Sequence, residues 1–472
     1  MAVILSFSEY TMLRAMFALL LPVLALLLRF IYRYRNARCQ FPGPPVTNFW
    51  LGNLDQTMAD DVYDKWLLWN RQYGHVFQTW NGPFSRVIYI GNPQMISKIA
   101  SMNWPKSAVQ YEGFKPLSGD ALFLQTDHER WHRQRKRLAP AFQPHIIKGQ
   151  YAALADHLTD YIRHIDTAAD AQTTVELSSL HVLLSLDFVG TVAYGARFHA
   201  IRQGPDCRIS RLLETILPEL MKCGLFPLRK TFPILSKTRQ MYRAIAELRA
   251  MAATAVQNAR QDANHSEQSR KIFEILAKYV CLCYSPLPIL PRFLTINSYL
   301  RHPDILAKLR AEVDAQIPFG VAIPSLDQVE LPYLNMVLKE TMRYRSTGFG
   351  TFRTCPVDSE IDGVVLPANT TLALWNPAVH RDPTLWEDAD RFDPERWRPG
   401  QVKIKGSYFP FSYGPRSCIG QGLSMLIMTL TLATLFRRYD LSLEPGFEME
   451  CLPSFTLRPK RGLPVRVVRR TS

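Results

Sequence analysis

The 472-residue chain lacks any regular cysteine spacing, its eight cysteines being scattered from one end to the other. That absence excludes a disulfide framework and favours a reducing, cytosol-facing compartment. The one close pair, in Cys281-Leu282-Cys283, has the wrong spacing for a zinc knuckle or a redox pair, so these cysteines read as apolar packing. Also missing are zinc-ligand pairs, a basic region followed by heptads and an RNA-binding aromatic signature. Nucleic acid is therefore removed as a partner of what is otherwise a basic protein. Acid is in deficit, with 41 Asp and Glu against 56 Lys and Arg and a net charge of +15. The cations are spread along the chain rather than gathered in one run, which suits an anionic membrane surface or an acidic protein partner.

What is present begins with an uncharged apolar run over residues 15–28, extended by Phe30-Ile31-Tyr32 to bilayer-spanning length if Arg29 snorkels. Arg33, Arg35 and Arg38 follow, while only Arg14 lies close on the other side. The positive-inside bias then puts the N-terminus in the lumen and the bulk of the protein in the cytosol. A cleaved signal peptide is the competing reading of so short a run, but no small-x-small cleavage site leads into the basic cluster. Residues 1–40 are thus assigned to a membrane anchor with its basic flank, and 41–472 to one large domain that opens on the stiff segment Phe41-Pro42-Gly43-Pro44-Pro45.

Within that domain, residues 76–80 and 86–90 read as strands of a hairpin turning at Asn81-Gly82-Pro83. Residues 175–198 and 209–225 read as helices with apolar faces, and 217–233 as an irregular amphipathic loop. Trp131 and Arg135 are four apart and share one helical face, a clamp for one carboxylate or, more blandly, a half-buried tryptophan on a basic helix. Arg130, Arg133, Lys136 and Arg137 around them form either a docking face for an acidic protein or a merely solvated surface.

The most informative stretch is Phe411-Ser412-Tyr413-Gly414-Pro415-Arg416-Ser417-Cys418-Ile419-Gly420, which presents one cysteine just before an apolar helix over residues 423–436. Gly414 and Gly420 can adopt angles closed to other residues and let the backbone loop tightly under a flat macrocycle. Arg416 carries a fork suited to a carboxylate. The helix N-terminus would face the sulfur and favour a thiolate. The commoner fate of a single cysteine is burial in a turn; against it, these features together mark Cys418 as the ligand of a haem iron.

The spacing Phe-x-x-Gly-x-Arg-x-Cys-x-Gly, filled by Phe411, Gly414, Arg416, Cys418 and Gly420, resembles the haem-binding loop of the cytochrome P450 family. The resemblance implies a mainly α fold with a small β subdomain, preceded by one N-terminal transmembrane helix. It implies Cys418 as the axial ligand of haem b, and Trp131, Arg135, Arg353 and Arg416 around the propionates. Glu340-Thr341-Met342-Arg343 resembles the family's Glu-x-x-Arg pair, and Phe392-Asp393-Pro394-Glu395-Arg396-Trp397 nominates Arg396 as the second arginine on that glutamate. Such a set would be structural. His380 is more simply structural than propionate-binding. By the same resemblance the chain would be a monooxygenase of the endoplasmic reticulum membrane, single-pass with a cytosolic catalytic domain, taking electrons from NADPH through a reductase. It would insert one oxygen atom from O2 into a lipophilic small molecule, with a fungal flavour that suggests secondary metabolism.

The resemblance breaks over residues 279–296. His302-Pro303-Asp304 resembles the turn after the family's central helix, which carries a small-Gly-x-acid-Thr stretch about fifteen residues upstream. Here that place holds Ser285-Pro286-Leu287-Pro288-Ile289-Leu290-Pro291, with no acid and no threonine. Three prolines so close cannot lie inside one regular α-helix, and Thr295 stands too near His302 to take the usual place. No catalytic residue is identified on the oxygen-binding side. Either the protein is altered here or an incorrect exon boundary has replaced the helix, and the abruptness of the loss favours the second. The other readings are a haem-thiolate isomerase or dehydratase acting on peroxides, and an inactive haem-binding protein.

Overall fold

A computed structural model describes residues 21, 24–25, 28, 40–83, 85–261, 290–346, 348, 350–401, 404–453 and 457–471. The expected transmembrane span thus lies outside the described residues save for four positions, as do residues 279–289 of the atypical stretch. In chain order, α1 (Val62–Tyr73) precedes the hairpin β1 (Val76–Asn81) and β2 (Ser85–Ile90), then come α2 (Pro93–Ser101) and α3 (His128–Leu138). The helical body follows with α4 (Tyr151–Asp170), the short strand β3 (Thr174–Glu176), α5 (Leu177–Tyr194), α6 (Arg208–Leu225) and α7 (Ser236–Gln261). Next are α8 (Leu290–Leu300), α9 (Pro303–Gln316) and α10 (Pro332–Tyr344). After them run β4 (Thr351–Thr354), β5 (Ser359–Ile361), β6 (Val364–Leu366), β7 (Thr371–Leu374) and the short α11 (Asn376–His380). Finally α12 (Gln421–Arg438) leads into β8 (Tyr439–Leu443), β9 (Cys451–Pro453), β10 (Leu457–Pro459) and β11 (Pro464–Arg469).

The largest sheet has the order β1-β2-β7-β4. The hairpin pairs as the sequence predicts, Val76 opposite Ile90 and Asn81 opposite Ser85. β7, from far along the chain, joins β2 in parallel, and β4 closes the sheet antiparallel to β7. A second sheet gathers β3, β11 and β8 against the helical body.

Helix α5 is buried almost all round, because Leu177, Leu180, Leu183, Leu184, Leu186 and Phe188 spread over every face. A helix without a polar face belongs inside a core. It is long and apolar enough to cross a membrane, yet 67% of it is buried within the fold, so it serves as a core helix. Its start is fixed by Glu176, which accepts the Ser178 and Ser179 amides at 3.0 and 2.7 Å, and its end by Gly195 at φ 63°.

One expectation is corrected here. Pro218 lies inside α6, where the sequence suggests an irregular loop. The interior proline costs about 3 kcal/mol. Burial of Ile209, Leu212, Leu213, Ile216 and Leu220 outweighs it, each side chain contributing roughly 1.5–3 kcal/mol.

Helix α8 begins inside the break and packs against α10. Pro291 is the second residue of α8, where a missing amide costs nothing. The Thr295 hydroxyl is buried and donates to Thr341 Oγ1 of α10 at 3.1 Å. At the head of α10, Glu312 of α9 accepts the Tyr333 and Leu334 amides at 2.5 and 2.9 Å, fixing where that helix begins.

Candidate functional site

The loop before α12 is shaped by one glycine rather than two. Gly414 takes φ +75°, and a Cβ there would stand 2.6 Å from the Ala100 carbonyl oxygen at the end of α2. No other residue fits that approach. Gly420, expected to use the same freedom, sits at φ −88° as the residue before α12, and a Cβ on it would meet only ordinary contacts, 4.0 Å from Cys418 Sγ. Between them the Cys418 amide donates to the Phe411 carbonyl at 2.9 Å, closing the loop, while the Phe411 ring packs against the helical core.

Cys418 is exposed by accessible area, yet surrounding protein desolvates its thiol. Both hold for a sulfur that looks into an enclosed recess rather than out to bulk water. Burial pushes the thiol pKa up, against the lowering effects of the Gly420 amide, Arg135 and Lys106. Burial thus works against the Gly420 amide and the cations at this sulfur, and a coordinated metal ion would favour its deprotonated form.

Around this recess stand four cations. Asp127 accepts the Arg130 amide at 2.7 Å and starts α3, whose buried face carries Trp131, Gln134 and Leu138. One turn after Trp131, Arg135 donates to the Ser417 carbonyl at 2.7 Å. Arg416 lies over the Trp131 ring at 4.4 Å and donates to Asn103 Oδ1 at 2.9 Å and to the Gln125 carbonyl at 2.8 Å. Arg353, on β4, is fully buried, and among the described residues its side chain donates only to Thr351 Oγ1, at 3.1 Å.

The fourth cation, Lys106, was not singled out from the sequence. It pairs with Arg353 as an isolated antiparallel bridge, donates to the Phe123 carbonyl and lies 3.8 Å above the Phe123 ring. Its only sequence signal is a lone lysine after Pro105, which no motif marks.

Among the described residues none of the four is ion-paired to a carboxylate. Asp127, whose charge Arg416 feels, is engaged in capping α3. Burial lowers all four pKa values, and repulsion adds to it at two: Lys106 falls well below the usual range through desolvation and then Arg353 and Arg416, and Arg416 falls to about 10 through desolvation and then Arg353. Two buried donors, Arg353 Nε and Arg416 Nη2, have no hydrogen-bond partner among the described residues. Buried cations without anions are costly, and orphaned guanidinium donors more so. The set has the chemistry of a receptor for a dianionic ligand, which is what the two propionates of a haem present, so the residues fit that group.

Behind the loop, Glu340 and Arg343 of α10 are both fully buried. Arg343 donates Nε and Nη2 to the two Glu340 oxygens at 2.8 Å each, and Arg396 Nε reaches Oε1 at 3.1 Å. The three residues nominated from two separate motifs thus meet on one carboxylate. Two further donors were missed, the Trp397 indole at 2.9 Å and the Asp393 amide at 2.8 Å. Arg343 also holds the His380, Ala389 and Arg391 carbonyls at 2.8, 2.8 and 2.9 Å, tying the α10 scaffold to the chain that leads to the loop.

His380 itself is fully buried, and desolvation, aided by Arg343, takes its pKa down to about 3. Since the unfolded imidazole titrates near 6.5, stability from this group is intact above about pH 6.5 and is lost as pH falls from there towards 3. Its share of the loss between pH 7 and pH 5 is on the order of 1 to 2 kcal/mol. His380→Gln is expected to flatten the fall of Tm over that range relative to the wild type, and an unchanged slope would contradict a neutral buried imidazole.

The comparisons with known proteins agree with this geometry. The family model of cytochrome P450 matches residues 42–278 and 295–463, most of the chain. The interruption between the two segments falls within the stretch where the sequence departs from the family pattern. The chain is 25% identical to cytochrome P450 4F4 of Rattus norvegicus over 480 residues, covering 92% of this chain and 91% of that protein. It is 24% identical to cytochrome P450 3A30 of Fundulus heteroclitus, over 85% of this chain and 87% of that one. It is 25% identical to cytochrome P450 3A5 of Homo sapiens, over 78% and 79%. With the matched segments, the recess at Cys418 and its cations all in place, the chain belongs to the cytochrome P450 family, the haem-dependent monooxygenases that draw electrons from NADPH through a reductase.

Proposed function

We propose that Cys418 supplies the axial thiolate to the haem iron, and that Lys106, Arg135, Arg353 and Arg416 hold the propionates, with Trp131 as the platform under Arg416. The observation that carries this is the set of cations gathered around the recess that the sulfur faces, Lys106, Arg353 and Arg416 buried and Arg135 half-buried, with no carboxylate among the described residues paired to them. Arg353 and Arg416 each have one donor to offer a carboxylate, and Lys106 and Arg135 add charge. When bound, the haem would supply oxygen activation, the thiolate's electron donation favouring O–O cleavage. Titrating the apoprotein with haem and with its propionate diester tests the assignment. The diester is expected to bind about tenfold more weakly or worse, and equal affinity would overturn the propionate roles.

Residues 41–472 act in this proposal as one catalytic domain, and 1–40 as its anchor in the endoplasmic reticulum membrane, with the body on the cytosolic side. Exposed Phe226, Phe232, Ile234 and Leu235 between α6 and α7 give that body an apolar surface of its own, in keeping with a membrane-bound protein that draws a lipophilic small molecule from the bilayer. Arg130, Arg133, Lys136 and Arg137 are exposed on α3, next to the recess, and offer an acidic reductase a docking face. The relatives named above are animal proteins, so the substrate proposal stops at a lipophilic small molecule and leaves fungal secondary metabolism as a reading of the sequence alone.

One observation favours a second reading. The stretch over 279–296 carries no acid, and its sole threonine, Thr295, gives its hydroxyl to Thr341. Such a site suits an isomerase or dehydratase acting on a peroxide, which requires no delivery of protons to oxygen. Product formed with reductase, NADPH and O2 supports the monooxygenase. Turnover of a peroxide without them supports the alternative. Transcript sequencing across Lys278 to Arg301 decides whether an intact small-Gly-x-acid-Thr helix is encoded.

A further inference from the structure

His380 and Asn376 stand four residues apart on α11, and both reach the backbone of the same residue, Phe409. His380 Nε2 accepts the Phe409 amide at 3.0 Å, and Asn376 Nδ2 donates to the Phe409 carbonyl at 3.1 Å. Because Nε2 accepts, the imidazole proton sits on Nδ1 and is donated to Ser346 Oγ at 2.7 Å, which in turn donates to the Met342 carbonyl at 3.1 Å. Every polar group of the ring is thereby used, and the tautomer is fixed by its neighbours.

All three residues are buried, and the His380 and Phe409 rings meet edge to face at 5.3 Å. From Phe409 the chain is hydrogen-bonded onward to the cysteine. Ser412 N donates to the Phe409 carbonyl at 3.0 Å, and Cys418 N to the Phe411 carbonyl at 2.9 Å. The anchor is firm at its other end too, since Arg343 holds the His380 carbonyl. A continuous line of hydrogen bonds, buried as far as Phe409, therefore runs from α10 through α11 to the cysteine loop.

We infer that His380 and Asn376 are positioning residues that clamp both backbone groups of Phe409 and so set where the Cys418 sulfur stands in the recess. The inference rests on Cys418 being the haem ligand. Metal-ligand geometry tolerates little displacement, and groups behind a ligand that hold its backbone tune the bond it makes.

The test uses the haem-loaded full chain, reduced under carbon monoxide, because the Soret band of that complex separates thiolate-ligated haem from haem that has lost the thiolate. Thermal denaturation is followed in parallel, and Cys418→Ser marks the thiolate-free band. His380→Asn can reach Ser346 but not Phe409. It is expected to raise the ratio of thiolate-free to thiolate-ligated haem about tenfold, the effect of one buried hydrogen bond. His380→Gln can offer Oε1 where Nε2 stood and is expected to restore most of the wild-type ratio at a similar loss of Tm. Asn376→Ala carries the same expectation as His380→Asn and stands in for it should that variant take up no haem. A wild-type ratio in both His380→Asn and Asn376→Ala would overturn the inference, as would loss of haem from all three variants, which would place the residues in folding alone. A wild type without the thiolate band would instead remove the Cys418 reading itself.

Discussion

Glu340→Ala is expected to yield a protein that takes up no haem. Glu340 has no exposed surface and accepts five hydrogen bonds, two from Arg343 and one each from Arg396, Trp397 and the Asp393 amide. Its removal strands Arg343, which is equally buried, with carbonyls but no carboxylate. Breaking a buried pair by deleting one partner costs about 3–5 kcal/mol, and a whole domain is stable by only roughly 5–15 kcal/mol. The damage would fall on the segment Arg343 ties down, from His380 to Arg391, and through it on the loop that carries Cys418. Haem per polypeptide, measured by absorbance on the purified variant, is the check. Full occupancy would show that the carboxylate does not organise the site.

The second large effect is expected at Cys418. Cys418→Ser keeps the loop hydrogen bond from its amide to Phe411 and leaves the surrounding cations untouched. Haem binding is therefore expected to survive in part, while monooxygenation falls by roughly a thousandfold or more, equivalent to ~4 kcal/mol in the barrier. The reason is electronic, because a serine hydroxyl does not donate as the thiolate does. Assay of product per haem, rather than per protein, separates this from simple loss of cofactor. Retained turnover per haem would require a different ligand.

Much of this site could be read from the chain because its parts are local. Trp131 with Arg135, and Glu340 with Arg343, are one helical turn apart, and helix geometry alone brings them together. The loop from Phe411 to Gly420 is likewise one short contiguous segment. What escaped depends on distant partners. Lys106 matters because β4 passes beside it, and Trp397 because it folds back over α10. Neither relation leaves a spacing in the sequence. Pro218 was misread for a related reason, since local propensity argues against a helix there and only the buried face of α6 overrides it. Desolvation of the Cys418 thiol likewise leaves no spacing in the sequence, because it is set by everything packed around the sulfur.

The assignment of Cys418 is tested most directly by the spectrum of the purified, haem-loaded wild type reduced under carbon monoxide, recorded beside Cys418→Ser. A Soret band at the position typical of thiolate ligation in the wild type, and its loss in the variant, is the predicted result. Superimposable bands from the two proteins would contradict it.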